Sequence, residues 1–279
     1  MKRITSVEEM RGEAATLRKA GQVVGLVPTM GYLHEGHLSL IRLARELSDS
    51  VVVSVFVNPT QFGPSEDYER YPRDLARDAD LAEEAGCDVL FVPGASEMYP
   101  DGHATVVHVK GLTDKLCGAF RPGHFDGVCT VVAKLLNIVR PDLAVFGQKD
   151  GQQAAVIRRM AADLDMDVSI EIGETVREAD GLAMSSRNSY LSPAERADAL
   201  AISGALTEAK VRYEAGETDP AAVLDGVRSA IEERPSATVQ YAAAVDRFTL
   251  EDVGVLGPGT MIAVAVRVGG TRLIDNIVL

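Results

Sequence analysis

Residues 23–57 read VVGLVPTMGYLHEGHLSLIRLARELSDSVVVSVFV, and this stretch decides the fold. Its two ends, residues 23–27 and 51–57, are short continuous apolar runs, which are typical of strands buried on both faces of a parallel sheet. Between them, apolar residues recur with helical spacing at Leu38, Ile41, Ala44 and Leu47. The stretch therefore predicts a strand, a glycine-bearing loop, a helix and a second strand.

The same alternation of strand and helix extends to about residue 162. A capping-box pattern at Ser6 and Glu9 predicts a first helix that ends at Gly21. The later apolar patterns predict helices near residues 74–85, 128–139 and 152–162 and strands near residues 89–92 and 143–146. Since strands and helices in strict turn form right-handed crossovers, we expect an α/β fold with a doubly wound, Rossmann-like parallel sheet and helices on both faces.

The pattern changes beyond about residue 175. Ser192 and Asp219 each stand before a proline, a preferred opening of a helix. Three strand-like runs follow, at residues 239–245, 261–268 and 271–279, and the glycine pair between the last two predicts a tight hairpin. We therefore expect a Rossmann-like domain at residues 1–175 and a smaller α+β domain at residues 176–279.

The composition limits the classes of function. Acidic residues outnumber basic ones by 41 to 28, the formal net charge is -13, and no block of lysine and arginine interrupts the excess. We therefore expect no stable binding to nucleic acid. The start of the chain lacks an apolar signal core, and residues 51–57 are too few to cross a bilayer, so we expect a cytoplasmic protein that does not bind membranes.

The cysteines do not predict a metal or redox site. Cys87, Cys117 and Cys129 are odd in number and lack the close pairing of a zinc site or a redox dithiol. We expect three reduced thiols in or near the core.

The loop at residues 28–37 carries the most informative side chains. It leads from a predicted strand into the N-terminus of a helix, where free backbone N–H groups favour a phosphate. His34 and His37 lie there three residues apart, and they are two of only five histidines. A lone histidine is more often a surface residue or a helix cap, but this grouping indicates hydrogen bonds and charge for a reacting phosphorus centre.

Later segments place further polar side chains after predicted strands. Gln61 follows the second strand, and its amide can both donate and accept hydrogen bonds. Lys149 and Asp150 follow the strand at residues 143–146, where a lysine can contact phosphates and an aspartate can accept from ribose hydroxyls or cap a helix. Taken alone, a Lys-Asp pair is more often solvated surface, and Gln61 could be a solvated side chain in a simple Asn-Pro turn.

The serine-rich segment near residue 185 lies at the expected domain boundary. Ser185 and Ser186 offer hydroxyl and backbone donors, and Arg187 offers a planar fork for phosphate oxygens. A polar linker would explain the serines alone. It would not explain why this segment agrees with the family resemblance carried by four other segments.

These segments together resemble a known family. His34-Glu35-Gly36-His37 resembles the His-x-Gly-His signature of the nucleotidyltransferase superfamily, and residues 28–37 are similar to pantothenate synthetases, the pantoate–β-alanine ligases. Four later segments agree with that family in order and approximate spacing, at residues 56–62, 120–128, 146–153 and 176–188. The resemblance covers nearly the whole chain.

The resemblance implies an ATP-dependent ligase that joins pantoate to β-alanine through a pantoyl adenylate. It implies Mg²⁺ bound as the ATP complex and a homodimer. Because the reactive adenylate must be kept from water, we expect the C-terminal domain to act as a lid. Two other functions stay open at this point. The chain could be an adenylyl- or nucleotidyltransferase acting on another small substrate, or a catalytically silent nucleotide-binding regulator of the same fold.

The resemblance also implies roles for individual residues. The catalytic group is His37, His34 and Lys149, and Gln61 and Gln153 bind pantoate and β-alanine. The remaining ATP contacts are Met30, Gly31, Tyr32, Leu33, Glu35, Gly36, Gly147, Gln148, Asp150, Val176, Met184, Ser185, Ser186 and Arg187.

Three further points follow from the same comparison of motifs. Arg121 and His124 could help to contain the leaving group. No metal ligand is assigned. Gln148 and Gly151 depart from the common pattern, which has glutamate and an aromatic residue at these positions.

Overall fold

The computed structural model describes residues 1–64 and 66–279, and the chain forms two compact units. The first unit consists of Met1–Asp114, Gly118–Gly147 and Val156–Glu174. The second unit consists of Lys115–Cys117, Gln148–Ala155 and Thr175–Leu279. The division into functional domains near residue 176 remains a prediction.

A six-stranded sheet forms the centre of the first unit. Its strands are β1 Lys2–Ile4, β2 Val24–Thr29, β3 Ser50–Val55, β4 Val89–Phe91, β5 Leu143–Gly147 and β6 Ser169–Gly173. The helices in this part of the chain are α1 Val7–Lys19, α2 Glu35–Leu47, α3 Leu75–Glu84, α4 Ala95–Met98, α5 Cys117–Phe120, α6 His124–Val139 and α7 Gly151–Asp163.

The strand order is β1-β4-β3-β2-β5-β6, and every neighbouring pair is parallel. From β2 the chain proceeds to β3 and β4 on one side, and it returns to β5 and β6 on the other. This reversal is the switch point at which open parallel sheets bind ligands. The expected Rossmann-like sheet is confirmed, and the loop after β2 begins at its switch point.

Apolar packing explains why residues 23–57 fold as predicted. Leu38, Ile41 and Ala44 of α2 are buried in one cluster with residues of β2 and β3. Fully burying a side chain such as Ile41 contributes about 1.5–3 kcal/mol. The apolar face of α2 therefore holds the helix against the strands that flank it in sequence.

The apolar pattern of the sequence did not predict β1 and β6, the two edge strands of the sheet. In β1 only Ile4 is buried, and in β6 only Gly173 is buried. An edge strand exposes part of its side chains, so its sequence lacks the continuous apolar run of a central strand. Backbone pairing with β4 and β5 forms these strands instead.

The second unit contains an antiparallel sheet and two long helices. Its strands are β7 Ala237–Asp246, β8 Thr260–Val268 and β9 Thr271–Val278, in the order β7-β8-β9, and its helices are α8 Pro193–Glu214 and α9 Pro220–Glu232. Val268 pairs with Thr271, so Gly269 and Gly270 form the predicted two-residue turn. The expected smaller α+β part is confirmed.

Local signals set both helix starts in this unit. Ser192 Oγ accepts from the N–H of Glu195, whose carboxylate accepts from the N–H of Ser192, a complete capping box. Asp219 accepts from the N–H of Ala221 at the start of α9. The apolar faces of α8 and α9 then pack with the sheet in a separate core cluster.

Two findings bear on the chain's environment. Over residues 1–64 and 66–279, every helix falls short of the length and apolarity needed to span a bilayer. The three cysteines are buried and free, and burial raises the pKa of Cys87 and of Cys129 to about 12. These two thiols therefore stay protonated at neutral pH.

Candidate active site

The loop after β2 is held in a tight, left-handed conformation. Gly31 has φ of 85° and Tyr32 has φ of 50°. A Cβ atom at Gly31 would lie 2.9 Å from Asp78 Oδ2 and 2.9 Å from Val55 Cγ1. Glycine is therefore required at this position both by backbone conformation and by space.

Asp78 of α3 anchors the same loop. Its Oδ2 accepts from the N–H of Tyr32 at 2.7 Å, and its Oδ1 accepts from the N–H of Leu33 at 2.6 Å. Burial of this carboxyl raises its pKa, and the two backbone hydrogen bonds oppose that shift. A buried carboxylate thus fixes the backbone immediately before His34.

The two histidines occupy the N-terminus of α2. His34 is the N-cap residue, His37 is in the first turn, and their ring centroids lie 4.0 Å apart. The N–H of His34 donates to His37 Nδ1 at 3.3 Å. In a neutral His37 ring the hydrogen is then on Nε2, which makes that nitrogen a donor for a phosphate oxygen.

Gln61 lies in a short 3-10 turn after β3, beside a buried asparagine. Asn58 Nδ2 donates to Gln61 Oε1 at 3.0 Å and to the carbonyl of Gly127 at 3.1 Å. Gln61 Nε2 lies 3.3 Å from Met30 Sδ. Asn58 therefore fixes which end of the Gln61 amide is the donor, and the Met30 contact links Gln61 to the loop that carries the histidines.

Arg121 and His124 belong to one network at the start of α6. Arg121 Nε and Nη2 donate to the carboxylate of Glu66, each at 2.6 Å. Arg121 Nη1 lies 3.0 Å from His124 Nε2, and His124 Nδ1 lies 2.8 Å from the carbonyl of Gln61. Since the guanidinium can only donate, His124 accepts on Nε2 and donates from Nδ1.

The Glu66 carboxyl is strongly acidic as a result. Burial opposes its ionisation, but the hydrogen bonds and charge of Arg121 outweigh burial and lower the pKa of Glu66 to about 2. Glu66 is therefore ionised at neutral pH and holds the Arg121 side chain in place.

The remaining predicted site residues lie mainly in the second unit. Lys149 and Asp150 are in a 3-10 turn that leads into α7, and their charged groups lie 3.6 Å apart. The Lys149 side chain is 19% exposed, so solvent reaches it only in part. Gln153 follows in the first turn of α7 and is half-buried.

The segment at residues 176–187 folds back on itself. The N–H of Met184 donates to the carbonyl of Val176 at 3.0 Å. Ser185 caps the following 3-10 helix, because its Oγ accepts from the N–H of Arg187. Ser186 is buried, whereas Ser185 and Arg187 are half-buried.

The structure thus gathers the predicted residues into two groups. The first unit brings together the residues 30–37, Gln61, Arg121 and His124, and Gly147 ends its strand β5. The second unit contains Gln148, Lys149, Asp150, Gln153, Val176 and residues 184–187. The specific roles of these residues remain predictions.

Comparison with known proteins decides the family. The model of the family described as "Pantoate-beta-alanine ligase" matches residues 2–278. The chain belongs to this ligase family. The resemblance seen in the His-x-Gly-His loop and the four later segments is thereby confirmed.

Relatives of the ligase family match along nearly their full length. A pantothenate synthetase of Heliobacterium modesticaldum is 56% identical over 279 residues, which are 100% of this chain and 99% of the relative. The crystal structure of pantothenate synthetase from Thermus thermophilus superposes with a TM-score of 0.94 at 48% identity, and 99% of each chain is covered.

A third relative was solved with ligands bound. The pantoate-beta-alanine ligase of Francisella tularensis, complexed with beta-gamma ATP and beta-alanine, is 34% identical, with a TM-score of 0.84. The match covers 100% of this chain and 97% of that one.

Several residues that support the predicted site segments were not found from the sequence. Asp78 and Glu66 lie among other acidic residues in segments without a recognised motif, and Asn276 lies in a strand that mixes polar and apolar residues. A polar residue at a position expected to be buried is the one signal that could have indicated Asp78, since Ala79 and Ala82 share its helix face. Their partners lie too far away in sequence to be inferred from local pattern.

Proposed function

We propose that this chain condenses pantoate with β-alanine in two steps that consume ATP. A pantoate carboxylate oxygen attacks the α-phosphorus of ATP, the bond to the bridging oxygen breaks, and pyrophosphate leaves. The amine nitrogen of β-alanine then attacks the acyl carbon of pantoyl adenylate, loses a proton and displaces AMP. The observation that supports this most directly is the pair of adjacent imidazoles at the N-terminus of α2, on the switch point of the sheet.

The imidazoles suit the first step for an electrostatic reason. Carboxylate and triphosphate repel each other, so the reaction needs donors and positive potential where charge builds up on phosphorus. The α2 N-terminus provides backbone N–H groups, and His37 Nε2 provides a side-chain donor. We assign His37, together with His34, to stabilising the adenylation transition state.

Other residues are assigned to binding and positioning. Gln61, whose amide orientation is fixed by Asn58, receives pantoate, as does Gln153. Lys149 and Arg187 neutralise the ATP phosphates, and Asp150 accepts from the ribose. Arg121 and His124 help to contain the leaving group.

Mg²⁺ enters as part of the substrate. Within residues 1–64 and 66–279, no three histidine, cysteine, aspartate or glutamate side chains are placed to hold a metal ion together. We propose an ion carried by the triphosphate because Mg²⁺ in nucleotide sites keeps several waters and is bound largely through the phosphates. The protein's own part is then to orient the complex through Lys149 and the loop before α2.

We also propose that the chain works as a homodimer in the cytoplasm, with its C-terminal part acting as a lid. The support for the dimer is family resemblance, the cytoplasmic location is the expectation from the sequence, and a lid would keep the reactive adenylate from water. Molar mass measured by light scattering at several protein concentrations tests the dimer.

A two-stage assay tests the function. With ATP, Mg²⁺ and pantoate, we expect pyrophosphate and an enzyme-bound adenylate; addition of β-alanine releases AMP and pantothenate. A transferase acting on another substrate would release no pyrophosphate with pantoate and would be indifferent to β-alanine. A silent regulator would bind ATP and release neither product.

A further inference from the structure

Two buried polar residues stand side by side in β9. Asp275 is 3% exposed and Asn276 is 5% exposed, in a strand that also buries Leu273. Burying a charge or an amide costs free energy unless it is fully hydrogen-bonded. The hydrogen-bond partners of Asp275 and Asn276 therefore show what these two buried side chains stabilise.

Asn276 bonds to the turn that carries Lys149. Its Nδ2 donates to the carbonyl of Gln148 at 2.8 Å and to the carbonyl of Lys149 at 3.0 Å. Its Oδ1 accepts from Gln148 Nε2 at 2.8 Å. Two of these hydrogen bonds fix the backbone of the turn from which the Lys149 side chain extends, and the third holds the Gln148 side chain.

Gln148 and Gly151, the two residues that depart from the common family pattern, both lie next to the Asn276 amide. A Cβ atom at Gly151 would lie 2.6 Å from Met261 Sδ, 3.1 Å from Gln148 Nε2 and 3.3 Å from Asn276 Nδ2. The space next to Gly151 is therefore occupied by Met261 and by the hydrogen-bonded amides of Gln148 and Asn276.

Asp275 bonds to the other ATP segment of the second unit. Its carboxylate accepts from Arg177 Nη1 at 2.6 Å and from Nη2 at 3.1 Å, a bidentate pair. Arg177 pairs with Ala183 across the base of the segment at residues 176–187. The buried carboxylate therefore anchors the segment that carries Arg187.

We infer that Asn276 is a positioning residue for Lys149, and that Asp275 and Asn276 together make β9 the common support of both ATP-contacting segments in the second unit. This inference rests on the proposed function, because it takes Lys149 and Arg187 as phosphate contacts. Successive side chains of a strand point to opposite faces, so adjacent residues can hold two different segments. Lys149 has a long flexible stem, and its backbone must be fixed if its ammonium group is to meet a phosphate.

The test is a double-mutant cycle on ATP affinity. Asn276→Asp keeps the shape of the side chain but replaces the donor to both carbonyls by an acceptor. We expect the dissociation constant for a non-hydrolysable ATP analogue to rise about threefold to tenfold, the range of about one net hydrogen bond. In a Lys149→Ala background the same change should have little further effect, because Asn276 acts through Lys149.

Control variants separate positioning from general damage. Asn137→Asp makes the same change on α6, where Asn137 Nδ2 donates to the carbonyl of Ala133, and it should leave the affinity unchanged. If Asn276→Asp does not fold, as judged by thermal unfolding, Asn276→Ala removes the amide donor without adding charge. Equal losses of affinity with and without Lys149, or wild-type affinity in both Asn276 variants, would overturn the inference. Failure of the unmodified chain to bind the analogue would instead overturn the proposed function.

Discussion

Asp78 and Tyr32 are joined by a 2.7 Å hydrogen bond that spans 46 residues of the chain, from Tyr32 N–H to Asp78 Oδ2. The same carboxylate accepts from Leu33, so α3 holds the loop that positions His34. Tyr32 and Leu33 both donate from the backbone, so Asp78 is the one side chain on which these two hydrogen bonds depend. From this geometry we expect Asp78 to be a positioning residue, and its replacement should slow the adenylation of pantoate.

Asp78→Asn should lower the rate of pantoate-dependent pyrophosphate release about 10- to 100-fold, the cost of misplacing reacting groups by about an ångström. The amide retains one acceptor but turns a donor toward the second backbone N–H. Asp80→Asn is the matched control, because Asp80 is exposed on the same helix. A wild-type rate for Asp78→Asn would show that the loop does not need this anchor.

The two histidines should matter for chemistry far more than for folding. His37→Ala removes the Nε2 donor, and we expect a loss of about 10²- to 10³-fold in adenylation, as for other transition-state donors. His34→Ala should also lower the rate. The midpoint of thermal unfolding should change by only a few degrees in both variants.

His108→Ala provides the control for both substitutions. His108 is half exposed and pairs only with Asp126 among the ion pairs of the described residues. Its replacement should leave adenylation unchanged. If His37→Ala turned over as fast as His108→Ala, the histidine pair would have no part in the reaction.

Sequence pattern predicted the central strands because burial on both faces leaves a continuous apolar run. It did not reveal β1 and β6, whose side chains are partly exposed and whose formation depends on pairing with β4 and β5. The sequence pattern also located the loop of His34 and His37, because a buried strand, a glycine-bearing loop and the start of a helix can each be recognised from neighbouring residues. The supports at Asp78 and Asn276 act on backbone groups far away in sequence, and no local pattern encodes such partners.

Gln61→Glu should weaken pantoate binding selectively. Asn58 Nδ2 donates to Gln61 Oε1, which leaves Nε2 as the donor end of the amide. Glutamate keeps the acceptor but replaces that donor by negative charge, which repels a carboxylate substrate. We expect KM for pantoate to rise about tenfold or more, while KM for ATP changes little.

Gln22→Glu is a suitable control for that substitution. Gln22 Oε1 accepts from Ser50 Oγ at 2.7 Å, so glutamate again keeps an acceptor while adding charge, here before β2. Its steady-state constants should equal those of the unmodified chain. An equal rise in KM for ATP and pantoate in Gln61→Glu would contradict a specific contact with pantoate.

The ion pair of Glu66 and Arg121 should give stability a defined pH dependence. The pKa of Glu66 is about 2 in the folded chain, below its ordinary value of 4.5. The folded state therefore binds fewer protons than the unfolded state between these values, and stability rises with pH across that window. The contribution is complete above the unfolded pKa and is lost as the pH falls through the folded pKa.

Glu66→Gln isolates this contribution, because glutamine keeps the size of the side chain but cannot ionise. The difference in free energy of unfolding between the two proteins, measured by urea denaturation, should be larger at about pH 6 than at about pH 3. High salt should reduce it only in part, since the Arg121 side chain is 15% exposed and the Glu66 side chain 25%. A difference that is the same at both pH values would mean that Glu66 gains nothing from its charge, and that Arg121 is held by packing and by the Gln61 carbonyl instead.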